Sequence, residues 1–197
     1  CAIAIGASAN AGNQSIAIAA SACATKQFAI AIGCRTKATE RQAIAIGLSA
    51  DSQAQALVCG VEAKANASGA CGIAIGYQSE TNAQNAYAIG AQANAHASQS
   101  IAIGQQAQAN ENGQYAVALG YQAKANYEAS YAIGKAVETT RNGQIALGKP
   151  DESWSSGEVT IGSLNYYSET GQGRQIKWNE GNDQWEVGPD GGNQTIV

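Results

Sequence analysis

Few side chains in this chain could do chemistry, and their spacing argues against a catalytic centre. His96 is the single histidine among 197 residues. It follows a short strand-like run and reads as a surface side chain in a turn. One histidine in a loop supports neither a Ser-His-Asp nor a Cys-His relay. The five cysteines, Cys1, Cys23, Cys34, Cys59 and Cys71, form no CxxC pair and no metal-ligand spacing. Cys59 stands where a repeated pattern has an aliphatic residue, and it reads as a small buried hydrophobe. Cys23 and Cys34 fall near turns of adjacent repeats, where a disulfide is one reading. An odd, unpatterned set of thiols fits assembly in a reducing compartment. The 15 carboxylates are scattered along the chain, whereas a solenoid polysaccharide depolymerase would gather them on one face. Gly171 and Gly173 make a GxG, but no third glycine and no strand–helix setting follow, so dinucleotide binding is not supported. The GGxGxD pattern of a calcium ladder is absent. The expectation is a non-enzymatic chain with no cofactor and no metal.

The dominant feature is a repeat, and a repeat sets the architecture before any single residue does. The run AIAIG ends at Gly6, Gly33 and Gly47, and close variants end at Ala19, Gly60, Gly76, Gly90, Gly104, Gly120, Gly134, Gly148 and Gly162. The intervals run from 13 to 16 residues, most often 14. Counting back from each of these positions, −1 and −3 are Ile, Leu or Val in 21 of 24 cases, the exceptions being Cys59, Tyr87 and Tyr131. Positions −2 and −4 are small. Alternation with period two predicts a strand. A second, fainter strand follows, with Ala93 and Ala95 or Ala123 and Ala125 three and five residues after the glycine. Asn, Gln, Lys or Ser between those alanines read as facing solvent. GNQ at Gly12 and ENG at Glu111 read as turns. The closing glycine reads as a corner whose backbone a Cβ would obstruct.

The predicted fold is all-β: a parallel β-solenoid of twelve coils over residues 1–162, about 14 residues per coil. One coil cannot stand alone. Two buried Ile side chains contribute about 3–6 kcal/mol, while ordering the backbone costs about 1–2 kcal/mol per residue. Stacking supplies the balance through neighbour interfaces. At about 4.8 Å per strand, twelve coils make a rod of roughly 55 Å.

The first strand is apolar or small on both faces, as in a strand covered on both sides. The expectation places the Ile ladder inside the coil. It leaves the flat alanine row at −2 and −4 outside, either as filler or as a subunit interface along the rod. Gln144, Glu158 and Thr160 interrupt that row, so association should loosen near residue 144. Net charge is −4 with no basic stripe, so no nucleic-acid partner is expected. No apolar run approaches a membrane span, and no secretory signal opens the chain. The chain starts in mid-repeat without a cap, which reads as a segment of a longer protein. Sequons stand at Asn13, Asn66 and Asn193. In a chain rich in Asn and Ser they are chance matches, or glycan sites if a eukaryotic host makes the protein.

Residues 163–197 depart from the repeat. Ile176 and Trp178 alternate, a turn spans 180–183, and Trp185 and Val187 alternate again. This predicts a short β-hairpin module. Trp154, which precedes the module, and Tyr166, Tyr167, Trp178 and Trp185 within it are the candidate recognition residues. They read either as a small capping core or as a tip facing a glycan or receptor.

The coils resemble the head repeats of YadA-like trimeric autotransporter adhesins, whose pattern is S/N-V/I-A-I-G followed by x-x-A-x-A. It is matched at 15–24 (SIAIAASACA), 100–109 (SIAIGQQAQA) and 130–134 (SYAIG). The resemblance implies a left-handed parallel β-roll, a homotrimer, and an extracellular surface used for attachment to a host receptor or glycan. Similar repeats occur in phage and other viral fibres, and the IKWN…NDQWEVG segment looks like short modules of viral tail and fibre proteins. A virion fibre is therefore the favoured reading, with a bacterial adhesin head as the alternative. Heptad stalk, neck and membrane-anchor barrel are not found in this segment, and heads of this family are usually poor in cysteine. An ice-binding solenoid fits the flat small-residue face but lacks rows of Thr.

Overall fold

A computed structural model describes residues 1–53, 55–66, 71–148, 163–167, 173–179 and 184–189. The chain forms two compact units, Cys1–Gly157 and Glu158–Val197.

The first unit is a parallel β-solenoid in which each coil contributes a three-residue and a two-residue strand. The eleven three-residue strands, from Ile3–Ile5 to Ile145–Leu147, stack in chain order into one sheet. The nine two-residue strands, from Asn10–Ala11 to Lys124–Ala125, stack into the second, again in chain order. Equivalent residues pair: Ile3 with Ile16, Ala88 with Ala102, Ala95 with Ala109. The parallel stack and the 14-residue spacing agree with the repeat read from the sequence. Eleven of the twelve expected first strands are described; the one ending at Gly162 lies outside the described residues.

Between the strands the chain turns twice per coil, and most described corners carry a left-handed residue. Gln92, Gln106 and Gln122 hold φ of 58°, 58° and 56° after the first strand, and Gln99 and Tyr115 hold 57° and 60° after the second. Left-handed backbone costs a non-glycine residue about 1–2 kcal/mol. It persists because the corners also join the ladder between coils: Gln92 N donates to Tyr77 O at 2.7 Å and Gln106 N to Ala91 O at 2.9 Å. The conserved-looking corner glycine meets a second constraint. Gly90 has φ of 134°, and a Cβ there would lie 2.5 Å from the carbonyl oxygen of Gly104 in the next coil. Only Ala19 departs from the glycine column among the described corners, at φ of 104°.

The interior reverses the expectation for the first strand. Ala17, Ala31, Ala45, Ala74, Ala88, Ala102, Ala118 and Ala132 at −2 are all 0% exposed. The residues at −4 (Ser15, Ala29, Ala43, Ala86, Ser100) are buried with them, as are Ala93, Ala95, Ala107 and Ala109 from the second strand. The Ile, Leu and Val residues at −1 and −3 point outward. None of these positions is buried in any described coil. The cause is size. The largest fully buried side chains are only Val58 and Val137. Strands of three and two residues closed by tight corners leave room for Ala, Ser and an occasional Val or Thr, not for rows of Ile and Leu. The alanines of the second strand do face inward, and the Asn, Gln and Lys between them face outward, as read from the sequence.

Buried hydroxyls are satisfied by turn carbonyls, as burial requires. Ser15 Oγ donates to Gly12 O at 2.9 Å and Ala24 O at 2.8 Å, and Ser100 Oγ to Ala97 O at 2.6 Å. Gln144 stands at −4 in the last described coil and is half-exposed. Its Oε1 accepts from Thr140 N at 2.7 Å, a polar contact at the end of the described stack.

The second unit is an antiparallel sheet of Ser163–Tyr167, Gly173–Asn179 and Gln184–Pro189. The last two strands pair as the alternation around Trp178 and Trp185 predicts, and Ser163–Tyr167 adds a third strand that the sequence reading did not contain.

Candidate functional site

The solenoid presents two unlike faces. On the three-residue sheet, each coil sets two aliphatic or aromatic side chains outward, and parallel in-register pairing aligns them into two continuous rows. Ile30 follows Ile16 and precedes Ile44; Ile32 follows Ile18 and precedes Ile46. Exposure reaches 36% at Ile32, 40% at Ile103 and 39% at Tyr131. At about 4.8 Å per rung, eleven rungs make an apolar stripe roughly 50 Å long. An exposed apolar surface of that extent marks an interaction face. Tyr87 and Tyr131 lie in the −3 row, and Cys59 lies in the −1 row as a half-exposed thiol. Cys59 is thus on the outer apolar face and not a buried core residue.

The two-residue sheet presents a polar face. Its outward row runs Lys37, Asp51, Lys64, Glu80, and further along Lys124 pairs with Glu138. Opposite charges on neighbouring rungs attract and like charges are kept apart. Beside this row, at the corner, Glu62, Gln78, Gln92, Gln106 and Gln122 form a side-chain ladder. Gln78 Nε2 donates to Glu62 at 2.8 Å, Gln92 to Gln78 at 3.3 Å, Gln106 to Gln92 at 3.1 Å and Gln122 to Gln106 at 2.9 Å. This ladder was visible in the sequence as a residue type recurring two positions after the glycine, but only stacking turns the recurrence into a contact.

His96 is half-buried, with Nε2 enclosed and without a hydrogen-bond partner among the described residues. It occupies the column of Asn66, Asn82, Asn110 and Asn126, where Asn66 Nδ2 donates to Asn82 at 3.0 Å and to Glu80 at 2.9 Å. The sequon residue Asn66 is therefore already engaged through its amide. All five cysteines are free thiols, Cys1, Cys34 and Cys71 exposed and Cys23 and Cys59 half-exposed. Cys23 and Cys34 form no disulfide. Among the described residues no group of three His, Cys, Asp or Glu side chains could hold a metal ion, and no helix is long and apolar enough to cross a membrane.

Of the candidate tip residues, Tyr166, Tyr167, Trp178 and Trp185 lie in the second unit. Tyr166 pairs with Arg174 and Tyr167 with Gly173 in one register, and Trp178 stands opposite Trp185 in the other. Trp154 lies outside the described residues.

The repeated parallel coil is also found in comparison with known proteins. The YadA head domain repeat matches residues 24–50, 67–93, 82–107 and 112–135. Those segments are similar to YadA-like head repeats. The crystal structure of the collagen-binding domain of the Yersinia adhesin YadA is similar, with a TM-score of 0.59 and 26% sequence identity. The likeness covers 80% of this chain and 76% of that one. No curated protein matches the chain. The matched segments include the −3 and −1 residues from Ile30 to Ile46, from Ile73 to Ile103 and from Val117 to Ile133, and leave out Leu57 and Cys59.

Proposed function

We propose that this chain is the head segment of a homotrimeric, non-enzymatic surface adhesin, displayed outside the cell and used for attachment. The outward Ile ladder carries the reading. A rod that stayed a monomer would leave this stripe in water. Fully burying an Ile contributes about 1.5–3 kcal/mol, so covering a side chain that is 40% exposed, as Ile103 is, contributes about 0.6–1.2 kcal/mol. Repeated along eleven rungs, that outweighs the several kcal/mol that association costs in lost freedom. Closed cyclic symmetry lets identical stripes cover one another without an open edge. Three chains then present three copies of the polar face, and weak contacts combine through effective concentration.

The similarity to the YadA collagen-binding domain supports a bacterial cell-surface adhesin, and a collagen-like host protein is its first candidate partner. The virion-fibre reading rests on the likeness of the repeats and of the IKWN…NDQWEVG segment to viral fibre sequences. Light scattering tests the assembly. The expected mass is about 60 kDa, three times the 20.0 kDa chain. Lys in place of Ile75 and Ile89 should give monomers. A wild-type monomer, or a trimer indifferent to both substitutions, would sink the reading.

A further inference from the structure

The polar face carries a groove that the apolar interface leaves open. A cleft of about 540 Å³ runs along four coils, walled on one side by the corner ladder of Gln92, Gln106 and Gln122 and on the other by Asn94, Gln108 and Lys124. Its volume lies in the range of small-ligand sites. The ladder amides are only half used. A primary amide has two N–H donors and two acceptor positions, and each rung-to-rung bond takes one N–H and one acceptor. The side chains of Asn94 and Gln108 have no hydrogen-bond partner among the described residues. The groove therefore offers donors and acceptors in alternation, repeated at the coil spacing.

Its charge is balanced. Lys124 is in register with Glu138, which also lines the cleft. An anionic polymer would meet as much repulsion as attraction. Exposed aromatic side chains stand on the same corner, one residue before the ladder glutamines: Tyr121 is 41% exposed and Tyr77 is 50% exposed. Repeated amides in a charge-balanced cleft suit a ligand with many hydroxyl edges.

We propose that this groove binds a neutral, linear, hydroxyl-rich oligosaccharide lying along the rod axis. The proposal deepens the adhesive reading and rests on the polar sheet being left to solvent when the Ile face is covered. It is tested on the whole chain by calorimetry and saturation-transfer NMR. The probes are hexasaccharides of β-1,4-glucose, α-1,4-glucose and β-1,4-N-acetylglucosamine. A heparin hexasaccharide and a triple-helical collagen peptide serve as comparisons. At least one neutral probe should bind, and the double variant N94A/Q108A should bind it about tenfold more weakly, the loss expected for one or two hydrogen bonds. Q14A, whose ladder contact with Gln27 lies elsewhere, should bind as the parent does. Circular dichroism checks that both variants keep the fold. Binding by heparin alone, by the collagen peptide alone, by no neutral probe, or equally by parent and double variant would overturn the proposal. Light scattering of the same samples separates the two readings. A trimer that ignores every neutral glycan removes the groove and leaves the adhesin; a monomer that binds one does the reverse.

Discussion

Replacing Ala88 with Leu tests which side of the first strand is the interior. Ala88 is 0% exposed and lies between Ala74 and Ala102, also at 0%, in the same column. The added isobutyl group has nowhere to go in a lumen whose largest fully buried side chain is Val. Overpacking of this kind costs about 1–3 kcal/mol. For a chain of this size each kcal/mol moves Tm by about 2–4 °C, so A88L should melt roughly 2–12 °C lower. The neighbouring I89A acts on the outer face. It should weaken assembly, and its Tm deficit should shrink or grow with protein concentration, because association is linked to stability by mass action. Thermal unfolding followed by circular dichroism at two concentrations, with light scattering alongside, separates the effects. If Ile filled the interior, A88L would melt like the parent and I89A would lose about 2–5 kcal/mol at every concentration. That pair of results would refute the alanine-lumen packing.

Three further outcomes are expected. Gly90→Ala should cost about 1–3 kcal/mol for the strained backbone, because φ is 134° and the new Cβ would press on Gly104 O. Ala19→Gly should raise stability by about 1 kcal/mol, and denaturant titration of the pair checks both signs. In thiol labelling, Cys1, Cys34 and Cys71 should react quickly. Cys59 should be protected in the assembled protein and exposed in the I75K/I89K monomer, since it shares the −1 row with Ile46 and Ile75.

Much of the fold is legible in the residues because a repeat announces itself. The 14-residue period, the two strands per coil, the corner at the glycine and the hairpin register of Trp178 with Trp185 all follow from alternation and turn chemistry. The facing of the first strand is a different kind of question. Period two places Ile and Ala on opposite sides but does not say which side is in, and general hydrophobicity favours Ile. The short coil decides it. A perimeter of 14 residues with strands of three and two encloses a lumen for methyl groups, so alanine goes in and isoleucine out. The same inversion moved Cys59 to the surface.

The paired ladders are the second matter that stacking alone decides. The glutamines at 78, 92, 106 and 122 recur at a fixed offset in the chain, yet hydrogen bonds between them need side chains brought one strand spacing apart. So does the groove beside them. By itself the sequence determined that this protein is a repetitive parallel stack with an alternating first strand and little catalytic chemistry. Only the tertiary structure decided which residues that stack conceals and which it shows, because the volume inside a closed coil is a property of its whole perimeter and not of any one strand.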